Sequence, residues 1–375
     1  MIVASPKGRI SLEVLEYGLT VHKLLLCLDD GSTIDIIPGP ENGEVHKEKR
    51  SFLHTIIGRY TNRLPTGVHT IDDGVTLTPE PVESDKVSHH GGVDAFDTKT
   101  FNQITLSQSQ LYDDRDTLPT HTLALFSYVS KPLENGYPGE MLIEAGFFVA
   151  DDSVVLTHRA KMLDGVACPV NLTQHWGFNL TADQIKSSTI ADHSLRLNAT
   201  AIAETDQNNL ATGGKVPIEG SAFDFKTPRK IGEKEIVQDH YYFFDRDSTA
   251  VDNTITQDID AHVTDIASRR ASEDAQLSLS SDSVQLNFLT NQSGVMFYAG
   301  GGFSDSAPQR KAGHVDAKDE KAPYPKHGCA FFEFHHPLST FLHEPYAKHA
   351  NTSTILNKEE GNVYQNWVRM DVTLR

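Results

Sequence analysis

Apolar and polar residues alternate with a period of two along most of the chain. In MLIEAGFFV (residues 141–149) one face carries Met141, Ile143, Ala145, Phe147 and Val149. In VVLTHRAKM (residues 154–162) Val154, Leu156, Ala160 and Met162 share a face opposite Val155, Thr157, Arg159 and Lys161. Side chains that switch sides at every residue mark strands laid against a core. Dipeptides tolerant of positive φ punctuate these runs: Asp30-Gly31, Asn42-Gly43, Asp73-Gly74, Asn135-Gly136 and Asp164-Gly165. Residues 19–39, LTVHKLLLCLDDGSTIDIIPG, accordingly predict strand, turn, strand. Neither a long capped amphipathic helix nor an alternation of strands with helices interrupts the pattern. It predicts an all-β fold, a large antiparallel sandwich or barrel.

A length of 375 residues ordinarily suggests two domains, yet no repeat or flexible linker divides the chain. The most polar stretch, residues 304–328, reads as a long surface loop, of the kind that borders binding sites on rigid β scaffolds. Residues 247–283 read as an insertion or a solvated edge.

Composition narrows the partners. With 38% hydrophobic and 22% charged residues the chain is that of an ordinary globular protein. The net charge of −18 weighs against nucleic acid and anionic membranes, and against a phosphorylated substrate unless a local basic pocket exists. Cys27, Cys168 and Cys329 are far apart and form no CxxC pair, so reduced thiols are expected. The opening residues MIVASPKGRISLEV lack the apolar core of a signal peptide, and no apolar run approaches the ~20 residues that span a bilayer. The expectation is a soluble, cytoplasmic protein, whose five N-x-S/T sequons are accidental.

Five polar clusters interrupt the strand pattern. GRYTNRL (58–64) sets Arg59 and Arg63 beside Asn62; a guanidinium fork there suits carboxylates or several sugar oxygens, or a surface salt bridge. SHHGGVDAFD (88–97) joins His89 and His90 to Gly91-Gly92, a tight turn carrying an imidazole. No HExxH or Cys/His spacing accompanies it, and no metal is expected. NLTQHWGFNL (171–180) places His175 in an apolar strand, as a tethered core residue or as an acid–base group. VQDHYYFF (237–244) opens with Asp239 and His240, and GCAFFEFHHP (328–337) buries Glu333 in an aromatic run. A carboxylate is rarely buried without a partner or a task. Together these groups form a kit for moving protons on a neutral polyhydroxylated substrate. No phosphate loop, GxSxG elbow or dinucleotide fingerprint is present.

The order of these motifs resembles that of the aldose 1-epimerases, the galactose mutarotases. GRYTNRL is similar to the family's G-R-x-x-N-R-I segment and SHHGGVDAFD to its H-G-G-x-x-G-F-D motif. NLTQHWGFNL is similar to N-x-T-N-H-x-Y-F-N-L, and FDFKTPRKIG (223–232) to D-F-R-x-P-x-x-I-G. QDHYYFF, TNQSGVMFY and CAFFEF follow in order, so the resemblance runs from about residue 14 to the C-terminus. It implies one mutarotase-type β-sandwich domain over residues 1–375, without cofactor, as monomer or homodimer. By position it implies Glu333 as general base, His175 as general acid, and Asn62, Arg63, His90, Asp239 and Gln292 as contacts to sugar hydroxyls.

Departures fall on the pocket wall: Gln174 for the usual Asn, Trp176-Gly177 before Phe178, Ala95-Phe96 for Gly-Phe, and Phe334-His335 for Thr-Gln. Trp176 or Phe178 could stack on the sugar or belong to the core. The implied reaction interconverts the α and β anomers of a free aldose by ring opening and closure. Glu333 as a carboxylate takes the C1 hydroxyl proton, and protonated His175 gives one to the ring oxygen. Ordinary values of about 4.3 for Glu and 6.5 for His favour that pairing, and a nearby carboxylate would raise the His. The rival readings are a hexose-6-phosphate 1-epimerase, a non-catalytic sugar-binding protein on the same fold, and, behind these, a glycoside hydrolase.

Overall fold

A computed structural model describes residues 1–375 except 72–73, 184–188, 237–238, 246–253, 260, 272–274, 304–309, 316–322 and 358–360. Strands dominate, and the α-helices among the described residues are short: Val45–Glu48, Val263–Ser268 and Glu344–Ala350. Three antiparallel sheets carry the architecture. The largest has ten strands, running Asn102–Ile104, Thr122–Ser130, Met141–Val149, Ser153–Met162, Val363–Leu374, Val284–Thr290, Leu277–Ser280, Ser194–Leu197 and Arg229–Lys230, with Ile255–Thr256 beside the start of Val363–Leu374. The second has six, in the order Trp176–Phe178, Ala330–His335, Gly294–Tyr298, Asp239–Phe244, Ala199–Thr205 and Ala211–Pro217. The third has four, Ile2–Ala4, Ile10–Leu15, Thr20–Cys27 and Thr33–Asp35.

The two-residue alternation decides which side chains meet. Met141, Ile143, Ala145, Phe147 and Val149 enter the main core with Val154, Leu156, Ala160 and Met162, together with side chains from both other sheets. The opposite face is covered as well. Leu142, Phe148 and Val155 pack with Trp367 beneath Val263 and Ile266 of the short helix. The stretch 247–283, expected as an insertion or a solvated edge, is not wholly solvated: among its described residues Ala261, Val263, Ile266 and Ala271 close a second apolar layer. Arg159 lies on this covered face, in a two-pronged ion pair with Asp116 at 2.7 and 2.8 Å, both side chains at zero exposure.

The 304–328 stretch is described over 310–315 and 323–328, and both parts are anchored. The Lys311 ammonium donates to Asp35 (2.8 Å) and to the carbonyls of His22 (2.6 Å) and Ile37 (2.7 Å). The Tyr324 hydroxyl lies 2.7 Å from His314 Nδ1. The remainder of that predicted loop, residues 304–309 and 316–322, lies outside the described residues. Among those described, no helix is long and apolar enough to cross a membrane.

The six-stranded sheet positions the polar clusters. Val295, Phe297, Phe332, Phe334, Tyr242 and Phe244 turn to the main core. Met296, Tyr241 and Phe243 turn the other way, into a smaller apolar group with Leu338 and Tyr346.

Candidate active site

His175 lies where one stretch of chain changes partners. Thr173–Gln174 pairs with Ile56–Ile57, and Trp176–Phe178 pairs with Ala330–His335. Between them the His175 N–H donates to the Thr55 carbonyl (2.8 Å), and the His175 carbonyl accepts from the His54 N–H (3.1 Å). The polar residues of NLTQH do the docking. The Asn171 amide straddles the His336 backbone, accepting from its N–H and donating to its carbonyl, each at 3.0 Å. The Thr173 hydroxyl donates to the Phe334 carbonyl at 2.9 Å. These bonds tie residues 171–173 to residues 334–336 and carry His175 to Glu333. His175 Nε2 stands 3.3 Å from Glu333 Oε1. Glu333 arrives there by parity: with Phe332 and Phe334 in the core, Phe331, Glu333 and His335 take the opposite face.

GRYTNRL and SHHGG build the facing wall. Arg63–Pro65 pairs with Val87–His89, and just outside that ladder Asn62 and His90 adopt positive φ, 67° and 50°. The His90 N–H donates to the Asn62 carbonyl (3.1 Å), and the Asn62 N–H donates to His90 Nδ1 (3.3 Å). A neutral imidazole that accepts at Nδ1 carries its proton on Nε2. Gly91 makes the close approach possible: a Cβ there would lie 2.0 Å from the Gly58 carbonyl oxygen. The two arginines of GRYTNRL part company. Arg59 is buried and spends its donors on Ser130, Pro138 and Lys131. Arg63 donates to Glu83 at 2.8 and 3.0 Å, and its Nη1 lies 3.5 Å from Asp239 Oδ2. A pocket of about 250 Å³ opens here, lined by Asn62, Arg63, Asp239, Met296 and Leu338 among others.

Burial governs the electrostatics of the central pair. It pushes the Glu333 carboxyl well above its ordinary value, with the Asp239 charge adding to the rise and Arg63 opposing it. It pushes the His175 imidazole down to about 4. The expected upward pull of a carboxylate on His175 is therefore outweighed. Both groups favour their neutral forms, so the proton of the pair resides on Glu333, with His175 Nε2 3.3 Å away.

His90, His175 and Glu333 bring ligand-capable atoms within 4.8 Å of one another, yet the donor set suits a metal poorly. With His90 Nδ1 accepting from Asn62, its Nε2 offers a proton rather than a lone pair. His175 and Glu333 already face each other. The cluster instead presents an N–H donor, an imidazole and a carboxyl to an oxygen-rich ligand.

Six of the seven residues singled out in the sequence converge here: Glu333, His175, Asn62, Arg63, His90 and Asp239. Gln292 does not. It lies fully buried in the turn ahead of Gly294–Tyr298, and its amide donates to Asn291 Oδ1 at 2.8 Å. Asn291 in turn bonds the backbone of Gln365 and Trp367 in the large sheet. The register sets Met296 directly opposite Glu333. Reading TNQSGVMFY without a partner strand leaves that pairing invisible.

The fold decides between the two roles left open for the aromatic residues. Trp176 and Phe178 belong to the main core, stacked 5.7 Å apart, and neither lines the pocket. Phe52 and Phe331 flank His175 instead, with ring centroids 6.4 and 5.0 Å from its own. Arg50 lies over Phe52 at 4.6 Å while gripping Asp97 through two hydrogen bonds. Phe331 also explains Gly177, where a Cβ would meet its ring and Cys329 Sγ at 2.5 Å. Gly177→Ala should therefore cost about 1–3 kcal/mol through overpacking and push Phe331 against His175. Thermal unfolding and a rate assay on the same sample check both effects.

Comparison with known proteins gives the family and the fold. Residues 1–345 match the family model described as aldose 1-epimerase. Galactose mutarotase from Rattus norvegicus is 28% identical over 319 residues, covering 85% of this chain and 80% of that protein. Aldose 1-epimerase from Escherichia coli (strain K12) is 28% identical over 228 residues, 60% of each chain. Among solved structures, a GalM/aldose epimerase homologue from C. elegans superposes with a TM-score of 0.74 at 16% identity, covering 100% of this chain and 99% of that one. Galactose 1-epimerase from Lactobacillus acidophilus NCFM does so with 0.67 at 18% identity, covering 98% and 92%. The fold is thus that of the galactose mutarotases, and the chain belongs to the aldose 1-epimerase family.

Proposed function

We propose that this protein is a mutarotase of free, unphosphorylated aldoses such as galactose or glucose, with Glu333 and His175 exchanging protons with the sugar. The observation that carries the reading is the 3.3 Å contact between a buried carboxyl and a buried imidazole, with Glu333 paired across the sheet to Met296 of the pocket that Asn62, Arg63 and Asp239 also line. Moving the Glu333 proton to His175 gives a carboxylate and an imidazolium without any net gain of charge. Glu333 then takes the C1 hydroxyl proton as His175 protonates the ring oxygen. The ring opens, C1–C2 rotates, and closure on the other face reverses both transfers. His90 Nε2–H and the Arg63 fork steady charge developing on sugar oxygens. Asn62 and Asp239 supply further hydroxyl partners.

A phosphate would find little free charge here. Arg63 is the arginine in the pocket lining, and Glu83 and Asp239 already engage it. Polarimetry across glucose, galactose, xylose and arabinose tests the proposal, with glucose 6-phosphate as competitor. Mutarotation at the spontaneous rate for every aldose would sink it.

The pH profile should follow the pair as a unit. Activity should hold through neutrality and fall below about pH 4, where His175 takes a second proton onto the pair. The stability that His175 contributes should erode earlier on acidification, opposed by the contribution of Glu333, whose proton the unfolded chain regains over the same range. The unfolded imidazole binds its proton near 6.5 and the folded one only near 4, so for this group each step down through that window favours unfolding. A rate that fell already between pH 7 and 6 would contradict this.

A further inference from the structure

Beside the catalytic pair lies a third imidazole to which the proposed mechanism gives no task. His335 shares the sheet face of Glu333, two residues further along the same strand, roughly 7 Å away at the usual rise. It is fully buried, its Nδ1 lies 2.6 Å from the His336 carbonyl, and its Nε2 has no hydrogen-bond partner among the described residues. A carbonyl only accepts, so Nδ1 carries the ring proton and Nε2 is a bare lone pair. Burial lowers this imidazole to about 4, with His175 adding to the effect, so at neutral pH it stays an acceptor.

The surroundings hold the ring without satisfying it. Its cross-strand neighbour is Gly294, which has no side chain to offer. Tyr241 packs against the ring at 5.2 Å, but its hydroxyl donates to the His335 carbonyl. Two more orphaned polar atoms belong to the pair itself, Glu333 Oε2 and His175 Nδ1. A buried acceptor without a donor is costly unless a ligand supplies one.

We propose that His335 is a specificity-determining residue whose Nε2 accepts a hydrogen bond from a sugar hydroxyl on the side of the ring remote from C1. This rests on the mutarotase reading above and names one feature of its substrate: a hydroxyl that must donate there. An ether, a fluorine or a hydrogen in that place leaves Nε2 unpaired.

Monodeoxy and deoxyfluoro analogues of the best aldose test it, in wild type, His335→Leu and His335→Gln, with kcat/KM from polarimetry and binding from calorimetry. In wild type, one ring position should lose about tenfold or more as the deoxy analogue, and as much as the deoxyfluoro analogue, since fluorine cannot donate. His335→Leu should lose a similar factor on the parent sugar, mainly through KM, and nothing further on that analogue. His335→Gln, which keeps an acceptor oxygen, should recover part of the loss and remains informative if the Leu variant fails to fold. Equal penalties at every ring position in wild type, or unchanged parent kinetics in His335→Gln and His335→Leu, would overturn the assignment. Absence of catalysis on every aldose would instead remove the mutarotase reading, while calorimetric binding of the same analogues would still read the contact.

Discussion

Glu333→Gln should abolish catalysed mutarotation while leaving a folded protein that still binds sugar. The loss should be at least the roughly 10²–10⁴-fold that a positioned acid or base contributes. Glutamine keeps the shape and a hydrogen-bonding oxygen beside His175 but cannot shuttle the proton. The same variant should be as stable as wild type at neutral pH, or more so. Burial holds the Glu333 proton well above the ordinary carboxyl value, whereas the unfolded chain releases it near about 4.3. Stability is therefore lost as pH rises through that interval, and an uncharged amide removes the term. Polarimetry and thermal unfolding at pH 5 and pH 7 measure both parts. A Glu333→Gln enzyme working near the wild-type rate, with His175→Asn equally active, would end the proposed mechanism.

Asp116→Ala should give the largest loss of stability, about 3–5 kcal/mol, because it strands a buried cation. Arg159 has zero exposure and would keep the Leu111 carbonyl at 2.7 Å and the Tyr112 ring at 4.1 Å. Neither neutralises its charge. Asp116 also accepts from the Val263 N–H at 3.0 Å, so the short helix loses an anchor. The pair lies on the far face of the large sheet, in a different apolar group from the pocket. Denaturant midpoints should shift strongly while kcat per folded molecule stays constant. A shift worth less than about 1 kcal/mol would mean that the cavity rehydrates and the guanidinium is not stranded.

Much of the site can be read from the chain alone, for identifiable reasons. Glu333 in FFEFHH stands out because a carboxylate among aromatics needs a purpose, and His175 stands out likewise. Both are local contrasts of polarity. Asn62, Arg63 and His90 come from two segments that the fold pairs directly, Arg63 opposite His89. Where sequence reasoning went astray or left two roles open, the answer depended on a partner distant in the chain. The resemblance implied Gln292 as a sugar contact, yet the register sets Met296, not Gln292, opposite Glu333. For Trp176 the sequence left stacking platform and core both open; the parity of its strand decides for the core and leaves Phe52 and Phe331 beside His175. Residues 247–283 read as an insertion or a solvated edge because their apolar side chains are scattered, and only the fold gathers Ala261, Val263, Ile266 and Ala271 into an apolar layer.

By itself the sequence determines strand identity, face parity and the types of chemical group available. A period of two is a property of the extended backbone and needs no tertiary partner. The tertiary structure alone decides strand register, which residue covers which, and above all the state of the protons. Reference values favour a carboxylate and an imidazolium, but they describe groups in water. Folding takes Glu333 and His175 out of water together, and the cost of burying charge turns the pair into neutral partners around one proton.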